Sequence, residues 1–338
     1  MLYPLKFKPI QKERIWGGTK LRSLYGKDFP LSKKIGESWE ISCIEEDVSI
    51  VSNGFLKGNK LDELIEIYMG DLVGEQIYEE FGNTFPLLIK FLDANEDLSI
   101  QLHPTDELAV SRHNCYGKAE FWYMLESDKN AKLIHGFSKL VSKEEYLKHL
   151  QHNTLEEIVE WSDVKKGDVF FVPAGKIHAI GKGNTVLEVQ QTSDITYRIF
   201  DYNRTDDEGN KRELHTEQAL DAIDFESFDK NPIITFENKK NNLNKVHHCD
   251  FFCTNYINFD EVIFRDYYKL DSFVIYVCLS GKCKIYYNNE SEIETLKKGE
   301  TVLIPAELNE IKLVPDELTE IMEVYIAKQT SININEHQ

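Results

Sequence analysis

Gln101 and His103 stand one residue apart in the stretch LSIQLHPTDELA, residues 98–109, which alternates like a strand until Pro104 breaks it. Successive side chains of a strand point to opposite faces, so this amide and this imidazole are directed into one space. A second histidine closes the pattern Gly167-x5-Pro173-x-Gly175-x2-His178. There glycine supplies a turn, the apolar run a buried strand, and Pro-x-Gly a bend able to turn the histidine inward. Glu120 lies between Ala119 and the apolar run FWYML, where a buried carboxylate is costly without a cation or a basic side chain beside it. Lys118, two residues earlier, faces the same way if the strand reaches that far. Asp194 and Arg198 stand four apart in SDITYRIFDYNR, and their plainest reading is an exposed ion pair, which contributes little stability. Taken singly, each histidine is more often a hydrogen-bonded core group than a metal ligand.

The elements that must carry these residues are mostly strands. KKGDVFFVPAG, 165–175, and KKGETVLIPAE, 297–307, match in register at Lys, Lys, Gly, an acid, four apolar or β-branched residues, Pro and Ala. Upstream of each lies a hydrophobic strand, FWYMLES at 121–127 and VIYVCLSGK at 274–282. Two β modules on one hairpin plan are the economical reading. The second copy has Glu307 where the first has Gly175, and Glu310 where the first has His178, so the second module is expected to be structural. Residues 1–60 read as short extended pieces broken by glycine, while helical spacing is expected over 60–82, 142–163 and 213–225.

The chain has 338 residues, 41% hydrophobic and 12% aromatic, with a formal net charge of −19, which fits a globular, strand-rich protein of two modules. That charge argues against nucleic acid or an anionic membrane surface as a partner, so an anionic ligand must meet a local cluster of cations. No apolar run is long enough to span a bilayer, and the N-terminus lacks the apolar centre of a signal peptide, so a cytoplasmic location is expected. The six cysteines are too sparse for a disulfide framework, and the spacing of Cys249 and Cys253 after His247 and His248 fits no zinc pattern.

The glycine–proline–histidine pattern resembles the second motif of the cupins, small β-barrels whose inward side chains hold one metal. With SIQLHP, GKAEFWYML, EVQQTSDITYRIFDYNR and the early IGESWEIS in order, the chain is similar to the type I phosphomannose isomerases in their shorter bacterial form, over roughly residues 10–225. The resemblance implies a metal, usually zinc and one per chain, held by Gln101, His103, Glu120 and His178. Two imidazoles, one carboxylate and one amide oxygen suit Zn²⁺ and leave room for water or substrate. It also places Lys118, Asp194 and Arg198 at the reaction centre, with the arginine essential to turnover. Lys90, Glu37 and Trp16 are expected to line the same cavity. Two departures stand out: Ile180 replaces a tyrosine found in larger members, and FDYNR replaces a Thr-Pro-Lys, whose lysine Arg204 is a candidate to replace.

The expectation is a mainly β protein of two cupin-type modules with helical insertions, a catalytic one over 1–230 and a degenerate one over 231–338. It would interconvert mannose 6-phosphate and fructose 6-phosphate through an enediol, as a monomer or homodimer, with Asp194 or a metal-held hydroxide as base. A non-catalytic sugar-binding cupin and a metal oxygenase on the same fold are the alternatives; the first would have lost ligands, and the second would require Fe²⁺ and O₂.

Overall fold

The computed structural model describes residues 1–30, 32–205, 208–228 and 232–327. The N-terminal part is a sandwich of two antiparallel sheets. One has six strands in the order Ile10–Gly18, Ile35–Ile41, Leu87–Asp93, Asn184–Gln191, Glu120–Ser127, Val169–Val172. The facing sheet has five, in the order Tyr197–Phe200, Ile100–Leu102, His178–Ile180, Lys132–Phe137, Val159–Asp163.

Strand alternation decides which side chains reach the space between these sheets. In the six-stranded sheet Ile89, Phe91, Phe121, Tyr123, Leu187 and Val189 join a large outer core shared with the C-terminal part. The residues between them, including Lys90, Glu120 and Glu188, therefore point into the sandwich. In the five-stranded sheet Ile100, Leu102, Ala179, Tyr197 and Ile199 pack in a second cluster with Tyr146 and Ala219 of the covering helices. Gln101, His178 and Arg198 are thus turned inward by the same alternation.

The helices depart from their expected bounds for local reasons. The 60–82 segment is two helices, Leu61–Val73 and Glu75–Phe81, parted at Gly74, whose φ is 100°. The 142–163 segment is a helix only over Lys143–His152, stopped by Asn153 in the left-handed conformation. A 3-10 turn follows, and Val159–Asp163 is a strand that pairs with Lys132–Phe137. The third helix is shorter than expected, Thr216–Ala222. Helices Lys20–Tyr25 and Asp106–His113 were not expected; the second carries a capping Thr105 and two acids in its first turn, a signal present in the sequence.

The C-terminal part repeats the plan with a five-stranded and a four-stranded antiparallel sheet built from residues 242–325. The internal echo is structural. The amide of Gly167 bonds Met124 O and the amide of Met124 bonds Asp168 O; the amide of Gly299 bonds Cys278 O and that of Cys278 bonds Glu300 O. Both glycines have positive φ, 88° and 82°. In each copy the acid after the glycine accepts from the amide of the first lysine, Lys165 or Lys297. The expected boundary between residues 230 and 231 lies outside the described residues, and we keep it as a proposal.

Candidate metal centre and active-site cleft

Between the two sheets lies a cleft of about 460 Å³. At its floor His103, Glu120 and His178 are each 1% exposed. Their ligand-type atoms lie within 4.8 Å of one another. Nδ1 of His103 is 2.8 Å from the carbonyl of Ile195, and Nδ1 of His178 is 2.8 Å from the carbonyl of Lys176. A carbonyl only accepts, so each ring carries its proton on Nδ1. Burial pushes the His103 pKa down to about 3, helped by Lys118, and the His178 pKa down to about 4, so both rings are neutral near pH 7.

Each Nε2 is therefore a bare lone pair. His103 Nε2 lies 3.0 Å from Glu120 Oε1, yet among the described residues it makes no hydrogen bond, and neither does Glu120 Oε2, 3.7 Å from His178 Nε2. Acceptors facing one another in a dry site repel, and a cation is what resolves that arrangement. Gln101 borders the same space, its side-chain nitrogen 3.4 Å from His178 Nε2. The donor set fits a divalent metal of borderline character. Fixing Nδ1–H on backbone carbonyls is also how proteins orient ligating imidazoles.

The floor is strongly charged. Lys118 Nζ lies 3.0 Å from Glu120 Oε1, although Lys118 precedes the strand that begins at Glu120. Burial alone would raise the Glu120 carboxyl, but Lys118 beside it holds it well below the usual carboxylate range. Burial and Glu120 push the Glu188 carboxyl up. Glu188 accepts from Lys90 at 3.0 Å and from the Trp122 indole at 2.9 Å. Glu37 accepts from Trp39 and Arg14, both at 2.6 Å.

Lys118, Asp194, Arg198, Lys90, Glu37, Trp16, Gln101 and Glu120 all line the cleft, with His103 and His178 beneath. Arg204 does not line it: the guanidinium is held by Asp201 and the carbonyl of Asp97. The cation that this loop presents to the cleft is Arg212, whose own partner is also Asp201. Sequence reasoning also passed over Lys12, Arg14 and Glu188, which line the cleft. Lys12 and Arg14 stand at alternate positions before Trp16, and Glu188 sits in the apolar run VLEVQ as Glu120 does in its own. Among the described residues Asp194 makes no hydrogen bond or ion pair, and Arg198 is the cleft cation without a carboxylate partner. Arg198 instead donates to Ser99 Oγ at 3.3 Å and to the carbonyl of Glu213 at 2.8 Å.

Comparison with known proteins agrees with this geometry. Residues 4–153 match the family described as "Phosphomannose isomerase type I, catalytic domain". The chain is 36% identical over 315 residues to mannose-6-phosphate isomerase ManA of Bacillus subtilis, covering 92% of this chain and 95% of that one. A mannose-6-phosphate isomerase of Streptococcus mutans is 42% identical over 227 residues, 66% of this chain and 68% of the relative. In structure, the mannose 6-phosphate isomerase of Bacillus subtilis superimposes with a TM-score of 0.86 at 32% identity, covering 96% of this chain and all of that one. Phosphomannose isomerase of Salmonella typhimurium, at 16% identity and a TM-score of 0.78, shares the fold. With the cleft and its His–Glu–His floor in place, these likenesses assign the chain to the type I phosphomannose isomerase family.

Proposed function

We propose that this chain interconverts mannose 6-phosphate and fructose 6-phosphate, and that it does so with one zinc ion held by Gln101, His103, Glu120 and His178. The observation that carries the metal reading is the set of unprotonated ligand atoms converging at the cleft floor, of which His103 Nε2 and Glu120 Oε2 have no hydrogen-bond partner among the described residues. A metal bound there supplies positive charge to oxygens of the substrate as negative charge develops on them.

An aldose and its ketose differ by a proton moved between adjacent carbons, with an enediol between them. The residues of this chain must bind the open-chain sugar, keep water from the floor and carry that proton. Lys118 neutralises Glu120 and keeps a positive charge in a buried site, where it acts more strongly than in water. Arg198, across the ladder from Gln101, adds a guanidinium beside the same floor. Asp194, which lines the cleft and makes no ion pair among the described residues, and Glu188, buried with its proton held to higher pH, are the candidate carboxyl groups for proton transfer. No helix among the described residues is long and apolar enough to cross a membrane, in keeping with action on a soluble sugar phosphate in the cytoplasm.

The test is turnover of mannose 6-phosphate by the purified protein as isolated, after chelation, and after zinc is returned, assayed with and without oxygen. Activity that is lost on chelation, restored by zinc and indifferent to oxygen is expected. A zinc-loaded protein that binds the sugar without turning it over would overturn the isomerase reading in favour of a binding module.

A further inference from the structure

We propose that Arg14 and Arg212 form the phosphate subsite of the cleft and set its demand for a phosphorylated sugar, an inference that rests on the isomerase reading above. The cleft is graded from dry to wet. Lys90 and Lys118 at the floor are each 4% exposed. The side chains of Arg14 and Arg212 at the rim are 36% and 24% exposed. A hexose 6-phosphate carries its reactive carbons and its phosphoryl group at opposite ends of a six-carbon chain. The reacting end belongs in the dry, metal-type floor, which leaves the dianion at the rim.

The buried lysines are already neutralised, Lys90 by Glu188 and Lys118 by Glu120. Among the described residues the rim arginines retain unused donors. Asp201 takes Arg212 side-on through Nε and Nη2, leaving Nη1 of the fork. Glu37 takes Arg14 through Nε, and Nη1 reaches the carbonyl of Glu13, leaving Nη2. Each carboxylate thus fixes the orientation of a guanidinium without consuming it, a geometry suited to bidentate phosphate recognition. The backbone places Arg212 there: Thr205 bridges to Lys211, and the His215 amide bonds Arg198 O at 2.7 Å, tying the segment to the strand beside the site. After burial, Arg212 pushes the Arg198 pKa down, Asp201 opposes that, and Arg204 and Arg14 add smaller pushes downward, a net repulsion among the arginines that an incoming dianion relieves. In a chain of net charge −19, this rim is where a phosphate meets a surplus of cations.

Arg14→Gln, Arg212→Gln and the double variant test the proposal, with the exposed Arg112→Gln as a charge-matched control. Losing a charged hydrogen bond should raise KM for mannose 6-phosphate about tenfold in each single variant, with kcat within about threefold of the parent. The inhibition constant of inorganic phosphate should rise in parallel, and the control should leave both unchanged. A double variant whose KM and phosphate inhibition stay within about twofold of the parent's would overturn the subsite, as would a fall in kcat at constant KM. If the parent itself fails to turn over mannose 6-phosphate, the isomerase reading fails, and ³¹P NMR titration with inorganic phosphate still decides the subsite. Phosphate affinity lost in the double variant supports it, and affinity retained refutes it.

Discussion

At the scale of single residues, the ligand atoms that converge at the cleft floor make the sharpest claim. His103→Ala or His178→Ala each removes one of four donors and should abolish bound metal and activity together, as read by metal analysis and assay of the same sample. Full metal occupancy in both variants would refute the centre. Arg198 makes a different claim. Among the described residues it is the cleft cation without a carboxylate partner, and it stands in register with Gln101. Arg198→Ala should therefore lower kcat by about 10² or more, with KM within several-fold and metal content intact. A raised KM at constant kcat would instead assign it to the phosphate. The ligand-type residues were legible because each sits in a short motif with an odd polar group among apolar ones. Arg212 was not, because its place depends on Asp201, eleven residues away, choosing how to divide itself between two arginines.

At the scale of elements, the bend before His178 does the aiming. Gly175 has a φ of 83°, its amide bonds His103 O at 2.8 Å, and a Cβ there would lie 2.8 Å from the carbonyl of Ala222. One residue thus ties the strand of one histidine to the turn that delivers the other. Gly175→Ala should cost about 1–2 kcal/mol from backbone conformation alone, and more from the close contact. Chemical denaturation should show that loss, and metal affinity should fall with it. A variant of parental stability and metal content would show that the bend is not what aligns the pair. The pattern around Gly175 was readable in the sequence because only glycine suits such a turn. The fate of 155–163 was not: an apolar run as short as Ile158–Val159 does not by itself distinguish helix from strand, and pairing with Lys132–Phe137 decided for the strand. Leu87–Asp93, buried on both faces, lacks the alternation of a half-exposed strand, and its short apolar run LLIKFLD is what marks it as one.

At the scale of the whole molecule, two β modules follow one plan. They are joined by more than a linker: Leu5 and Leu303 exchange backbone hydrogen bonds at 2.8 Å, and the rings of Phe85 and Phe273 lie 4.4 Å apart within the shared core. The second sandwich also has a buried carboxylate, Glu323, 0% exposed, yet its cation is covalently built in. Arg265 pairs with Glu323 at 2.9 Å, while Asn255 and Tyr267 donate to the same carboxylate. Glu310, where the first module has buried His178, is exposed at the start of its strand. The echo between the modules was legible as sequence, but the pairing of Arg265 with Glu323 was not, because the two are 58 residues apart. One equivalent of metal per chain follows, unchanged by Glu310→Ala. Glu323→Ala should leave that equivalent bound under native conditions but strand the half-buried guanidinium of Arg265, at a cost of up to about 3 kcal/mol in unfolding free energy. Metal analysis and denaturation of that variant separate the outcomes: a second equivalent lost on substitution of Glu323 would make the C-terminal module a metal site, and undiminished stability would remove the arginine from its structural role.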